Sequence, residues 1–166
     1  MKNIHAVANK IFSLPALDRQ VAAWRLLGRT ISFTNGVFDI LHEGHIFSLC
    51  QAAKEADYLV VGLNADESVK RLKGEERPIN NENSRALVLA SLMMVDAVVL
   101  FSDDTPKQLI ESMLPDVLVK GGDYTIETVV GAKEVMDKGG RVVINPLIEG
   151  LSTTNIIQRM RQGTGG

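Results

Sequence analysis

Two kinds of apolar pattern divide the chain. Across residues 4–27, apolar side chains recur every three or four positions, through Val21, Trp24 and Leu27, which is the spacing of an amphipathic helix. From residue 30 onward, short apolar runs alternate with stretches of helical spacing. One such run at residues 58–63, Tyr-Leu-Val-Val-Gly-Leu, is continuously apolar, which is typical of a strand covered on both faces.

The apolar runs predict five strands, at residues 30–36, 58–63, 97–101, 117–119 and 141–144. Helices are expected between and after them, at residues 44–56, 65–72, 83–94, 105–114, 127–138 and 152–161. Strands that alternate with helices indicate a parallel sheet with helices on both faces. We therefore predict an α/β fold with a doubly wound, five-stranded parallel sheet and an N-terminal helical leader.

The same pattern divides the chain into a leader (1–29), a main domain (30–162) and a flexible tail (163–166). The apolar stripe of the leader must be buried, either on its own domain or on a neighbouring subunit, and the sequence leaves both open. No candidate site residue lies in the leader. We therefore expect a folded truncation that lacks residues 1–27 to remain active.

Composition and charge narrow the class of protein. Apolar residues make up 45% of the 166 residues and charged residues 23%, which excludes a disordered chain. A net charge of −2 and 5% aromatic residues argue against nucleic acid as a partner. The single cysteine, Cys50, suits a reducing cytosol. No apolar run reaches the roughly 18 residues that cross a bilayer, so we expect a cytoplasmic protein that does not bind membranes.

Two of the three histidines lie where the first strand of the main domain meets the next helix. His42 and His45 would place imidazole donors beside a helix N-terminus, which favours an anionic phosphate. Gly44 between them allows close approach of a ligand to the backbone. Zinc is the alternative, but no further Cys or His completes a ligand set, and Asp39 and Glu43 are weaker candidates. We therefore assign no metal-binding residues.

Four sequence blocks carry a resemblance to a known family. Residues 33–42, Phe-Thr-Asn-Gly-Val-Phe-Asp-Ile-Leu-His, and the His-Glu-Gly-His sequence at 42–45 resemble the cytidylyltransferase-like branch of the nucleotidylyltransferases. Residues 149–157 resemble its second signature, a Ser/Thr cluster that would also cap a helix. Residues 71–80 and 116–124 are similar to the adenylyltransferase domain of the bacterial enzyme of ADP-heptose synthesis. The resemblance runs from about residue 33 to residue 161.

This resemblance implies a Rossmann-like enzyme that transfers AMP from ATP to D-glycero-β-D-manno-heptose 1-phosphate. The products would be pyrophosphate and ADP-heptose for lipopolysaccharide core synthesis. It further implies Mg²⁺ bound with ATP and a homo-oligomer, expected to be a dimer. The family domain is often fused behind a sugar kinase, whereas this chain begins at Met1 without one. We therefore expect a stand-alone form served by a separate heptose-phosphate kinase.

A cytidylyltransferase acting on glycerol 3-phosphate or another alcohol phosphate is the alternative. Glycerol-phosphate cytidylyltransferases carry an Arg-Thr pair shortly before the Ser/Thr cluster, where this chain has Leu147 and Ile148. That departure fits the heptose subfamily better. The choice of ATP over CTP rests on the resemblance alone.

The reaction itself indicates which residue types to expect. A sugar phosphate is already ionised, so the site needs positioning and charge stabilisation rather than a protein nucleophile. We predict four catalytic residues: His42, His45, Lys70 and Lys73. The resemblance implies further roles for residues of the matching blocks. The nucleotide-binding residues that it implies are Phe33, Thr34, Asn35, Gly44, Gly121, Asp123, Ser152, Thr153 and Thr154. It places Asp39 near the acceptor, and we predict Arg85 as the second acceptor-binding residue.

Several of these residues have an ordinary structural interpretation as well. Lys70 and Lys73 would also suit a solvated helix face, and we expect at least one of them to reach the triphosphate. Asp123 matches a family carboxylate that faces the ribose, but an Asp after two glycines is also a common turn residue. Arg85 either contacts the acceptor phosphate or pairs with a surface carboxylate.

Overall fold

Six parallel strands form the centre of the fold in the computed structural model, which describes residues 5–122, 124–146 and 157. The strands are β1 (Ile11–Phe12), β2 (Ile31–Gly36), β3 (Tyr58–Asn64), β4 (Ala97–Phe101), β5 (Val117–Gly121) and β6 (Arg141–Asn145). Their order in the sheet is β1-β4-β3-β2-β5-β6, and every pair is parallel. The α/β class and all five predicted strands are confirmed.

Helices cover both faces of the sheet, as predicted. They are α1 (His5–Ala8), α2 (Leu14–Leu26), α3 (Glu43–Ala53), α4 (Asp66–Lys73), α5 (Glu82–Ser91), α6 (Lys107–Met113) and α7 (Ala132–Asp137). One core cluster contains buried residues of α2, α6 and α7, and the other contains residues of α3 and α5. No helix in the described ranges is long and apolar enough to span a membrane. The predicted helix at 152–161 and the tail at 163–166 lie outside the described residues.

The leader is helical as predicted, with a second helical piece that has Pro15 in its first turn, but a short strand that the sequence analysis missed lies between the two pieces. Ile11 and Phe12 form β1, which pairs with Val98 and Val99 of β4 and makes the sheet six-stranded instead of five-stranded. The amphipathic stripe is carried by α2, which begins with Pro15 in its first turn. Its Trp24 ring is buried and stacks on Tyr58 of β3, with the ring centroids 4.2 Å apart. Leu17, Val21 and Trp24 of the stripe therefore pack on the chain's own domain, whereas Leu27 is exposed.

The single helix predicted at residues 127–138 is also wrong. A 3-10 turn (Ile126–Thr128) comes first, and α7 begins only at Ala132. Gly131 separates them with a φ of +84°, in the left-handed region that favours glycine. A Cβ at Gly131 would lie 2.7 Å from Cγ2 of Ile110. The close approach of α6 therefore breaks the predicted helix at this glycine.

Aspartates at the amino ends of three strands tie the sheet together. Asp96 precedes β4, and its carboxylate accepts from the N–H of Leu59 in β3 at 2.8 Å. Asp116 precedes β5 and accepts from the N–H of Ile31 in β2 at 2.8 Å. Asp57 precedes β3 and accepts from the N–H and the hydroxyl of Thr30. Each carboxylate thus accepts a hydrogen bond from a backbone N–H in the neighbouring strand or in the residue just before it.

The strand order fixes where a ligand is expected. The chain runs from β2 outward through β3 to β4, and then returns to the other side of β2 with β5 and β6. The order therefore reverses between β2 and β5. In open parallel sheets, ligands bind beyond the carboxyl ends of the strands at such a reversal. This edge carries Asn35 and Gly36 at the end of β2, and Lys120 and Gly121 at the end of β5.

Candidate active site

A cavity of about 370 Å³ lies at the carboxyl edge of the sheet. Strand ends contribute polar groups to its wall through Asn35, Asn64 and Lys120. Apolar and aromatic side chains, including Leu118 and Tyr124, line the same space. Its size and mixed lining suit a small organic ligand with a few fixed polar contacts.

The two signature histidines stack against each other at the start of α3. Their ring centroids are 3.9 Å apart, and the edge of Phe38 packs against His45. His42 is the N-cap residue of α3, yet its side chain makes no capping hydrogen bond. In the described ranges, the Nδ1 atoms of His42 and His45 are the buried side-chain polar atoms that lack a hydrogen-bond partner. Such atoms are costly to bury unpaired, so they indicate a site prepared for a ligand.

The environment of the pair keeps both imidazoles neutral at pH 7. Burial lowers the pKa of His42. For His45, burial and then the charge of His42 lower the pKa from 6.5 to about 4, and the Ile40 backbone offsets this only in part. A neutral imidazole has one N–H donor and one acceptor nitrogen. Each neutral imidazole can therefore donate one hydrogen bond to a phosphate oxygen, and His45 can do so only when its N–H is not donated to the Ile40 backbone.

The lowered pKa of His45 predicts a pH dependence of stability. Between about pH 6.5 and pH 4, the unfolded chain binds a proton at His45 that the folded chain does not. The free energy of unfolding should therefore fall as the pH falls through this range. Solvent screening reduces this effect. We therefore expect the protonation of His45 to lower the free energy of unfolding by about 1–2 kcal/mol over this pH range. Urea titrations of the wild type and of His45→Asn at pH 7 and pH 4.5 measure it, and parallel losses in both would contradict the assignment.

The two predicted lysines differ in their relation to the cavity. Both lie in α4 with exposed side chains. Lys73, in the last turn of the helix, lines the cavity, whereas Lys70 is not part of its wall. Lys73 is therefore the better placed of the two for a contact with a triphosphate, and a catalytic role for either stays a prediction.

Asp39 joins the loop after β2 to the loop that precedes α5. Its carboxylate is fully buried and accepts from the N–H groups of Ile79 and Asn80 and from Nε of Arg77, at 2.7–2.9 Å. Burial by itself would raise the pKa of Asp39, but the two backbone N–H groups and Arg77 lower it below its ordinary value. Asp39 is thus an ionised anchor for residues 77–80, and its predicted contact with the acceptor stays untested.

Removal of the Asp39 charge should cost stability. In Asp39→Asn, the NH₂ group of the new amide would face the N–H donors that the carboxylate accepts from. The substitution would also leave Arg77 without its counter-charge. We expect the free energy of unfolding to fall by about 2–4 kcal/mol, close to the cost of breaking a buried ion pair. Asp137→Asn is the matched control, because its pair with Lys133 is exposed and should contribute less than about 0.5 kcal/mol. Equal losses in the two variants, measured by urea denaturation, would contradict this role.

Arg85 is buried and its guanidinium is already occupied. Its three nitrogens donate to Asp66 at 2.7 Å, to the Val37 carbonyl at 2.6 Å and to the Asn80 carbonyl at 2.9 Å. One of the two predicted alternatives was that Arg85 pairs with a surface carboxylate. The structure shows that pairing with Asp66, together with hydrogen bonds to two backbone carbonyls. Arg85 also lines a small cavity of about 150 Å³ beside Asp39. Arg85 thus connects the loop after β2 to the loop before α5, and a direct contact with the acceptor stays a prediction.

The predicted nucleotide-binding residues fall into three groups. Asn35 lines the cavity, Gly121 ends β5 and Gly44 lies in the first turn of α3. Phe33 and Thr34 are buried in β2, and the Phe33 ring packs against Gly62, where a Cβ would lie 2.8 Å from it. A side-chain contact of Phe33 with a nucleotide is therefore disfavoured by its packing. Four predicted residues lie outside the described ones: Asp123, Ser152, Thr153 and Thr154.

Lys120 lies in the cavity wall and is a candidate site residue that the sequence prediction missed. Its Nζ donates to Oδ1 of Asn35 at 2.9 Å and lies 5.4 Å from the centre of the Tyr124 ring. Burial lowers the pKa of Lys120. The sequence did contain a signal for Lys120. A lysine near the end of an apolar strand is expected at the carboxyl edge of a parallel sheet, where ligands bind.

The part of the chain that the structure describes contains no group of three or more His, Cys, Asp or Glu side chains placed to hold a metal ion. The cavity wall includes one carboxylate, Asp104, which pairs with Arg71 at 2.8 Å. The described residues therefore do not form a metal site of their own. Elemental analysis of the purified protein would test the zinc alternative.

The wall of the 370 Å³ cavity does not include His42 or His45. Among parallel α/β folds, a His-x-Gly-His sequence at the start of a helix that follows a central strand is characteristic of nucleotidyltransferases. The match of a family model to residues 33–159 agrees with this class. The chain belongs to the cytidylyltransferase-like family.

Proteins of similar sequence support the assignment of the chain to this family. The chain is 57% identical over 154 residues to the bifunctional protein HldE of Mesorhizobium japonicum, and 54% identical over 151 residues to that of Caulobacter vibrioides. These alignments cover 93% and 91% of the chain, but the chain spans only about a third of the length of these curated relatives, 31% in each case.

Solved structures show the same fold. A lipopolysaccharide core biosynthesis protein from Thermoplasma volcanium is 31% identical, with a TM-score of 0.58 over 73% of this chain and 98% of that one. A pantoate-beta-alanine ligase from Francisella tularensis, solved with β-γ ATP and β-alanine, has a TM-score of 0.60 over 91% of this chain and 76% of that one. At 14% identity, the second likeness concerns the fold alone.

Proposed function

We propose that this chain transfers AMP from ATP to D-glycero-β-D-manno-heptose 1-phosphate, forming ADP-heptose and pyrophosphate for lipopolysaccharide core synthesis. The observation that carries the proposal is the stacked pair of His42 and His45, whose buried Nδ1 atoms have no partner among the described residues. The choice of acceptor is supported by the similarity to HldE and to a lipopolysaccharide core biosynthesis protein.

The reaction is an in-line displacement at phosphorus. An oxygen of the sugar phosphate attacks the α-phosphorus of ATP, the new O–P bond forms, and the bond to the β-phosphate oxygen breaks with its electron pair leaving on pyrophosphate. A phosphate monoester is already ionised near pH 7, since its second pKa is about 6, so the attack requires no protein base. The protein's part is to align the two phosphates and to stabilise the developing charge.

The residues divide this work by position. His42 and His45 donate N–H groups to phosphate oxygens at the start of α3, where the helix dipole also favours negative charge. Lys73, at the end of α4, would contact the triphosphate from the wall of the larger cavity. Asp39 and Arg85 hold the loops beside the small cavity for the acceptor.

Mg²⁺ belongs to this proposal as part of the nucleotide substrate. Because the described residues form no cation site, the triphosphate and water would supply most of its ligands. The ion would neutralise charge on the triphosphate. A cytoplasmic location, where ATP is available, a homodimeric assembly and a separate kinase that supplies the heptose 1-phosphate complete the proposal.

A cytidylyltransferase acting on glycerol 3-phosphate is the second candidate, favoured by the description of the matching family model. The test is a coupled assay of pyrophosphate release that crosses ATP and CTP with heptose 1-phosphate and glycerol 3-phosphate, with and without EDTA. We expect ATP with heptose 1-phosphate to exceed every other pair in kcat/KM by at least about tenfold. The double variant His42→Ala/His45→Ala sets the background. A preference for CTP with glycerol 3-phosphate would favour the second candidate.

A further inference from the structure

Lys120 places a positive charge at the reversal of strand order, and no described carboxylate pairs with it. Its ammonium is held by the side-chain oxygen of Asn35, which is a neutral acceptor on the neighbouring strand. Of the ion pairs formed among the described residues, none involves Lys120. Among the described residues, the other contact of this ammonium is with the Tyr124 ring. The ring stabilises the charge but does not neutralise it.

The arginines around the same edge are balanced in a different way. Arg71 pairs with Asp104, Arg77 with Asp39 and Arg85 with Asp66. Lys120 is the more deeply placed cation of the cavity wall, since Lys73 is exposed. Burial of an ammonium without a carboxylate is unfavourable, and the lowered pKa of Lys120 has that cause. An anion that enters the cavity would supply the missing counter-charge.

We propose that Lys120, positioned by Asn35, forms an anion subsite that binds a phosphate oxygen of the nucleotide. The identification of the anion as a nucleotide phosphate rests on the proposed function. A hydrogen bond from an ammonium to a phosphate is about twice as strong as one between neutral groups. The base and the ribose offer neutral acceptors only, so they would leave the charge of Lys120 unbalanced.

The charge can be removed with little change in shape. Lys120→Met keeps a long unbranched side chain against the Tyr124 ring, and Lys120→Arg keeps the charge. Lys133→Met is the matched control, because it changes the net charge by the same amount on the exposed face of α7, where Lys133 pairs with Asp137. Thermal melts of each full-length variant establish that the comparison is made between folded proteins.

The experiment measures binding in the absence of any acceptor. Isothermal titration calorimetry gives the Kd of ATP with Mg²⁺, and an NMR titration gives the Kd of adenosine. We expect Lys120→Met to weaken ATP binding by about 10- to 100-fold, as for the loss of a charged hydrogen bond, and to leave adenosine binding unchanged. Lys120→Arg should retain most of the ATP affinity, and Lys133→Met all of it.

Three outcomes would overturn the inference. If Lys120→Met binds ATP as the wild type does, Lys120 does not bind the phosphate. If ATP and adenosine lose affinity by the same factor, the side chain serves the nucleoside or the packing of the cavity. If the wild type itself binds no ATP, the proposed function fails and the subsite fails with it. The first two outcomes leave the proposed function intact, so the two failures are distinguishable.

Discussion

His42→Ala and His45→Ala should each lower turnover by at least about 10²-fold, the cost of removing one preorganised donor from a developing anion. The fold should survive, because neither Nδ1 atom has a hydrogen bond to lose among the described residues. Removal of an unpaired buried polar atom offsets part of the packing lost with the ring. Turnover is measured as pyrophosphate release from ATP and heptose 1-phosphate.

The control for this pair is His5→Ala, which changes the third histidine of the chain in α1. It should retain wild-type turnover. Near-normal turnover in both His42→Ala and His45→Ala, with melting temperatures like that of the wild type, would remove the histidine pair from the mechanism.

Trp24→Ala should be among the most destabilising single substitutions in the chain. Trp24 is 8% exposed and stacks on Tyr58, so its truncation opens a cavity between α2 and the sheet. We expect the free energy of unfolding to fall by about 3–5 kcal/mol, the range for an aromatic residue replaced by alanine in a core. Urea denaturation followed by circular dichroism measures the change.

Leu26→Ala is the matched control on the same helix. Leu26 is 89% exposed and should contribute less than about 0.5 kcal/mol. Similar losses in the two variants would mean that α2 does not pack as described. The burial of α2 and the pairing of β1 also change what we expect of a truncation lacking residues 1–27. It would lose one strand and part of the core, so we no longer expect it to fold well enough for its activity to be tested.

The sequence predicted most of the sheet because its strands are continuous apolar runs. β4 was predicted with the bounds it has, and β5 was predicted two residues short because Lys120 and Gly121 are not apolar. β1 was missed because two residues, Ile11 and Phe12, also fit the helical spacing of the leader. Only their pairing with β4 distinguishes the two structures, and that pairing joins residues far apart in the sequence.

The candidate site was predictable where its residues form one local motif. His42, Gly44 and His45 follow a strand and open a helix, which the spacing alone indicates. The partners of Lys120 and Arg85 could not be predicted in the same way. Lys120 and Asn35 are 85 residues apart, and the contact exists because β2 and β5 are neighbours in the sheet. The hydrogen bonds that occupy Arg85 depend likewise on loops that the tertiary fold brings together.

The aspartates that precede β3, β4 and β5 have a consequence for how this protein can change its substrate. Asp57, Asp96 and Asp116 fasten the amino edge of the sheet, on the side away from the candidate site. Strand register is therefore maintained without any contribution from a ligand or from the loops that would recognise the acceptor. Replacement of those loops would remove the contacts of Asp39 and Arg85 but would leave these three aspartate contacts in place. The domain is modular in this sense, because the contacts that hold its strands in register lie at the edge opposite the candidate site.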